Sequence, residues 1–138
     1  LRVARSALYF TIDTIEVRTM TDRQAIEAVV HLYVEGMTFA NEAALRKAFH
    51  PKCAVIGHYE SAVEWSTRDE FIAAIVAEGS APPGTQPHMD IQTLDVVGDA
   101  ASVKVSDDFA GMRFTDYLSM LKIEGRWTIV NKVYYLHD

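Results

Sequence analysis

The sequence predicts an α+β domain, and three observations carry that expectation. The first half places apolar residues at steps of three and four, the pattern of amphipathic helices. The second half carries long runs rich in branched and aromatic residues, broken by tight turns, as antiparallel strands do. The last run, from Phe114 to Asp138, has apolar residues on both faces, so both are expected to be covered. One cover is helical, and the other is a helix layer's counterpart on the far side, for which a second subunit is the candidate. Helices first and then four long strands imply a curved sheet with helices on one face.

Length and composition set the outer limits. A chain of 138 residues is one domain, long enough to bury a core without staples. Its net charge of −6 repels phosphate backbones and anionic headgroups, so neither nucleic acid nor a membrane is an expected partner. Cys53 is the single cysteine, so no intramolecular disulfide forms, as suits a reducing compartment. Between Lys52 and Ala54 it reads as a small buried filler rather than a reactive thiol, since no cationic cluster adjoins it. No apolar run approaches the ~20 residues of a membrane span, and the first residues lack a signal peptide's arrangement. A cytoplasmic location is expected.

The elements follow in chain order. Residues 1–19 alternate Leu8, Phe10 and Ile12 with Tyr9, Thr11 and Asp13, which suggests a strand. Met20 then precedes Thr-Asp and a strong helix, so 1–19 is expected to be an N-terminal extension and 20–138 the domain. Thr21 and Gln24 match a reciprocal capping box and open the first helix. Its stripe is Ile26, Val29, Val30, Tyr33, Val34 and Met37. A short second helix follows Asn41 with Leu45, Ala48 and Phe49 inward, and Pro51 stops it. Cys53 to Tyr59 is a short strand. Ser66 with Asp69 opens a third helix, which Gly79 and Pro82-Pro83-Gly84 end in a loop. His88–Val97 and Ala100–Phe109 form a hairpin about Gly98-Asp99, and the terminal hairpin turns at Glu124-Gly125.

This order, with the segments AFHPKCAVIG, WSTRDEFIAAI, IQTLDVVGDAASVKV and FTDYLSMLKIEGRWTIVNKVYY, resembles the nuclear transport factor 2-like superfamily. Within it the chain is most similar to the Putative lumazine-binding family, relatives of the SnoaL-like polyketide cyclases and ketosteroid isomerases. The resemblance runs from about Asp22 to Tyr135, and Asp116-Tyr117-Leu118, Lys122 to Trp127 and Ile129-Val130-Asn131-Lys132 are its most specific pieces. It implies a cone-shaped, mostly antiparallel sheet wrapped around three N-terminal helices, with a blind pocket for a small organic molecule. It also implies a homodimer packed through the outer sheet face. It implies less about activity, because this fold hosts enzymes and binding modules alike.

Candidate residues are weighed on that frame. Tyr33 matches a tyrosine that, in the resembling isomerases, donates a hydrogen bond to a developing oxyanion; its alternative is a core tyrosine with a backbone partner. The isomerase-type base lies on the strand after the second helix, where this chain has Ala54-Val55-Ile56-Gly57-His58 and no acid before Glu60. That departure speaks against steroid-type isomerisation and leaves His58 as a candidate base or a rim histidine. Trp65 sits in a loop before the third helix, as a staple or a lid. His88 and Asp90, two apart on a strand, share a face and suit a base with its orienting carboxylate. Asn131 shares parity with Trp127 and Ile129, whose face the resemblance makes the interior, so it must be hydrogen-bonded or await a ligand. Asp116, if inside, becomes a proton-transfer candidate through desolvation; otherwise it pairs with Lys132 or Lys122.

No histidine pair has metal-ligand spacing, and no Gly-rich phosphate loop, GxSxG or CxxC occurs, so neither metal nor cofactor is expected. Two functions remain open. One is a pocket for a small, partly aromatic molecule, serving a cofactor-free lyase, isomerase or cyclase through Tyr33 with Asp116 or His58. The other is a non-catalytic ligand-binding or dimerisation module in which the same residues are structural.

Overall fold

A computed structural model describes residues 20–138; the expected extension 1–19 lies outside the described residues. Helix α1 (Asp22–Thr38) begins where its capping box predicts. The Gln24 amide donates to Thr21 Oγ1 at 3.1 Å, and the Thr21 amide donates to Gln24 Oε1 at 3.0 Å. Two otherwise orphaned donors are thereby satisfied. The stripe Ile26, Val30, Tyr33, Val34 and Met37 is buried on the sheet. Helix α2 (Glu42–Ala48) is capped by Asn41, and strand β1 (Phe49–Tyr59) begins at the next residue, earlier than Cys53. Pro51 lies within an irregularity of register between Phe49 and Ala54, where the ladder does not need its missing donor.

One strand escapes the sequence reading. Ala62–Thr67 is β2, an edge strand paired with β1, so Trp65 sits in a strand and not in a loop. Its six residues alternate weakly, and β1 supplies the pairing that defines it. Helix α3 (Arg68–Glu78) therefore starts one residue later than expected, with Thr67 and Glu70 forming the box. Strands β3 (Met89–Val97), β4 (Ala100–Phe109), β5 (Met112–Ile123) and β6 (Arg126–Leu136) follow. Both residues of the Glu124-Gly125 turn have positive φ, 51° and 77°, as a two-residue hairpin turn requires.

The sheet order is β2-β1-β6-β5-β4-β3. All pairs are antiparallel except β1 with β6, which brings the first and last strands together at the centre. The curved sheet is not closed, and β2 and β3 are its edges. The expected α+β fold is present, with α3 inserted between strands. The core joins Tyr33, Phe49 and Phe71 in tilted aromatic contacts of 5.1 and 5.5 Å to α1, α3 and the inner sheet face. Among the described residues no helix is long and apolar enough to cross a membrane.

A bulge in the terminal hairpin decides what faces inward. Met120 lies opposite Ile129 but Ser119 lies opposite Asn131, so Val130 is an extra residue. Trp127 and Ile129 face inward before it, and Lys132 and Tyr134 do so after it.

Candidate functional site

Three adjacent strands each place one ionisable side chain on the inner face. In β4, Asp107 continues the buried series Val103 and Val105. In β5, Asp116 lies between Phe114 and Leu118. In β6, Lys132 and Tyr134 occupy the inward positions that the bulge creates. Asp107, Asp116 and Lys132 are 1%, 0% and 4% exposed, so each must be compensated from within the protein.

Asp116 is the centre. Tyr33 donates to its Oδ2 at 2.7 Å, and Lys132 Nζ stands 3.9 Å from its Oδ1. The Lys132 ammonium also lies over the rings of Phe71, Tyr33 and Tyr134, at 4.6, 4.8 and 5.5 Å, distances at which ring faces attract a cation. Burial, reinforced by Asp107 and Asp116, raises the Tyr33 pKa well above its ordinary value, so its hydroxyl stays a donor.

Asp107 faces Asp116 without meeting hydrogen-bond geometry, and neither of its oxygens has a partner among the described residues. Burial first, and the Asp116 carboxylate second, push its pKa far above the usual carboxylate range; Lys132 opposes this only in part. Both effects favour the protonated form of Asp107, in which it has a hydrogen to donate.

Asp107 and Lys132 line the buried end of a cavity of about 260 Å³. Met37, Phe71, Ile75 and Phe114 form apolar walls, and Glu64 and Glu78 stand toward solvent with Tyr59. Tyr134 donates to Glu64 Oε1 at 2.8 Å across this wall. Its ring lies where only glycine leaves space, because a Cβ on Gly57 would come within 2.7 Å of it. Gly57 is also the inward residue at this part of β1, which offers no carboxylate to the cavity.

The other expected site residues lie elsewhere. Tyr33 and Asp116 meet, but neither lines the cavity; they sit behind it. The inward placement expected of Asn131 is corrected by the bulge: it pairs between Ala54 and Ser119 with its side chain on the opposite face to Lys132. His58 is exposed, one position out of phase with inward Gly57, and Trp65 is 74% exposed across from Ile56. His88 precedes β3 in a loop, lies 3.2 Å from Ser106 Oγ, and borders a neighbouring cleft with Asp108 and with Glu78 and Phe109, which line both hollows. Asp90 is exposed and does not join it. Among the described residues no three His, Cys, Asp or Glu side chains gather as a metal would need.

Sequence reasoning missed Asp107 and cast Lys132 only as a partner for Asp116. Asp107 was detectable, since it shares strand parity with Val103 and Val105. Lys132 was not, because without the bulge its parity places it outside.

Comparison with known proteins agrees with this architecture. Residues 21–135 match the family described as Putative lumazine-binding. A nuclear transport factor 2-like protein of unknown function from Silicibacter pomeroyi is 40% identical, with 86% of this chain and all of that chain covered and a TM-score of 0.80. A ketosteroid isomerase-like protein from Erwinia carotovora atroseptica shares the fold at 15% identity, covering 83% of this chain and 95% of that one, with a TM-score of 0.62. The aldolase FrzH of Cladobotryum sp is 23% identical over 119 residues, 85% of this chain and 93% of its own length. The chain belongs to the Putative lumazine-binding family, within the nuclear transport factor 2-like superfamily.

Proposed function

We propose that the protein binds a small aromatic carbonyl compound in this cavity and moves a proton on it, as a lyase, isomerase or cyclase does. The observation that carries the reading is Asp107, a buried carboxyl at the blind end of an apolar cavity whose two oxygens have no partner among the described residues. A carbonyl oxygen placed there accepts the Asp107 hydrogen. Negative charge that develops on that oxygen during enolisation is stabilised by a donor held in buried surroundings. Asp107 acts as the acid, its proton favoured by the Asp116 carboxylate behind it, and the α-proton leaves to solvent through the open end of the cavity. Tyr33 and Lys132 hold Asp116 in place. The Cladobotryum relative is named an aldolase, and aldol chemistry uses the same carbonyl polarisation.

Native mass spectrometry of freshly purified protein, followed by deuterium exchange at the α-carbon of an aromatic methyl ketone, tests this. A bound ketone whose exchange is accelerated, and loses that acceleration in Asp107→Leu, is the expected result. Binding without accelerated exchange removes catalysis and leaves a binding module; no binding removes the reading.

A second reading, a dimerisation module, has its own observation. Trp65, Ile56, Val133 and Tyr117 fall in one register row across the outer face, and three of them are 74%, 41% and 49% exposed. We propose that a second copy covers this row, since an exposed apolar and aromatic strip, bounded by Lys104 over the Tyr117 ring, suits a self-complementary two-fold contact. Light scattering should report a dimer that Val133→Glu converts to a monomer, and a wild-type monomer sinks the idea.

A further inference from the structure

We infer that the cavity selects an amine: its ligand is a flat molecule of one or two rings, with a hydrogen-bond acceptor at the Asp107 end and a protonated amine at the Glu64–Glu78 end. This rests on the binding reading above and adds the substrate's charge to it.

Among the described residues Lys132 is the one basic residue lining the cavity, and Asp116 already stands 3.9 Å from it on the sheet side. Three aromatic rings lie beside its ammonium, leaving little of it to receive a carboxylate or phosphate. At the solvent end the balance is reversed. Glu64 and Glu78 both line the cavity, and among the described residues neither lies within 4.0 Å of a Lys, Arg or His nitrogen. An anionic ligand would meet two carboxylates there; a cationic one would be matched by them.

Glu64 is held by the 2.8 Å hydrogen bond that its Oε1 accepts from Tyr134, which leaves Oε2 to receive an ammonium. Tyr59 lines the same end with an exposed ring, and ring faces attract a cation. At the buried end the unpartnered oxygens of Asp107 call for a ligand atom of opposite hydrogen-bonding sense, an acceptor. A volume of about 260 Å³ exceeds the ~150 Å³ that holds benzene, which leaves room for one or two rings.

Calorimetry with three matched ketones tests this on the full chain: para-acetylbenzylamine, para-methylacetophenone and para-acetylbenzoate. The amine should bind about tenfold more tightly than the neutral ketone, and the benzoate most weakly. Combining Glu64→Gln with Glu78→Gln, which keeps an acceptor for Tyr134, should erase the amine's advantage and shift the neutral ketone's affinity by less than about threefold. If the neutral ketone binds and the amine gains nothing, the inference is overturned and the carbonyl-binding reading stands. An amine advantage that survives the double substitution belongs to the overall net charge and also overturns it. If none of the three binds, both readings fall.

Discussion

Tyr33 donates a 2.7 Å hydrogen bond to Asp116 with both residues fully buried, so one charge-assisted contact ties α1 to the centre of the sheet. Neither residue lines the cavity. Their reach into it is electrostatic: the Asp116 carboxylate helps keep the proton on Asp107, which does line it. The pair most suggestive of catalysis in the sequence is therefore a support layer one shell behind the surface a ligand would touch.

Tyr33→Phe should accordingly cost stability more than binding. It keeps the ring contact with Phe49 but strips a buried carboxylate oxygen of its partner, a loss of about 1–3 kcal/mol. Urea denaturation should show that loss. The affinity for an aromatic ketone should change by less than about threefold, and a larger loss of affinity would place Tyr33 in direct contact with ligand.

Lys132→Met should be more damaging, about 3–5 kcal/mol, because Asp116 is left as an unmatched buried charge. Methionine still fills the aromatic surround. Adding Asp116→Asn to it should recover much of the loss, and a double-mutant cycle by denaturation measures the coupling. Additive losses would show that the two charges do not support each other.

Asp107 links stability to pH. In the unfolded chain it ionises near the ordinary aspartate value of about 3.9. In the fold, burial and Asp116 hold its proton far beyond that. Between those limits the native state carries the extra proton, so stability falls as pH rises. Asp107→Asn removes this slope. Its stability relative to the wild type should therefore grow from about pH 5 to about pH 8, by up to about 1.4 kcal/mol per pH unit. Parallel profiles for the two proteins would show that Asp107 ionises normally in the fold.

Gly57→Ala should disturb the solvent end of the cavity. The new methyl would lie 2.7 Å from the Tyr134 ring, a contact relieved only by moving the ring and its bond to Glu64. A loss of about 1–3 kcal/mol is expected from overpacking of this kind. Pairing it with Tyr134→Leu should restore part of the melting temperature.

Much of this molecule is legible in its sequence where the cause is local. The start of α1 follows from Thr21 and Gln24, which satisfy each other's backbone donors within one turn. The turn at Glu124-Gly125 is set by two adjacent residues that accept positive φ. Tyr33 and Asp116 stand out because polar groups on apolar stripes are few. Strand β2 is hidden, since its existence depends on β1 beside it.

The sequence by itself determined the fold class, the start of α1 and the turns at Gly98-Asp99 and Glu124-Gly125, and it singled out Tyr33 and Asp116, which the fold brings into contact. Only the tertiary structure decided that Lys132 faces in and Asn131 does not, and that Asp107 joins Asp116. The bulge at Val130 decides the first, and the β4–β5 register, which sets Asp107 opposite Phe114 and Asp116 opposite Val105, decides the second. Strand parity counted along one chain is a local property, whereas a bulge is a mismatch between two strands. A single unpaired residue reverses the facing of everything after it.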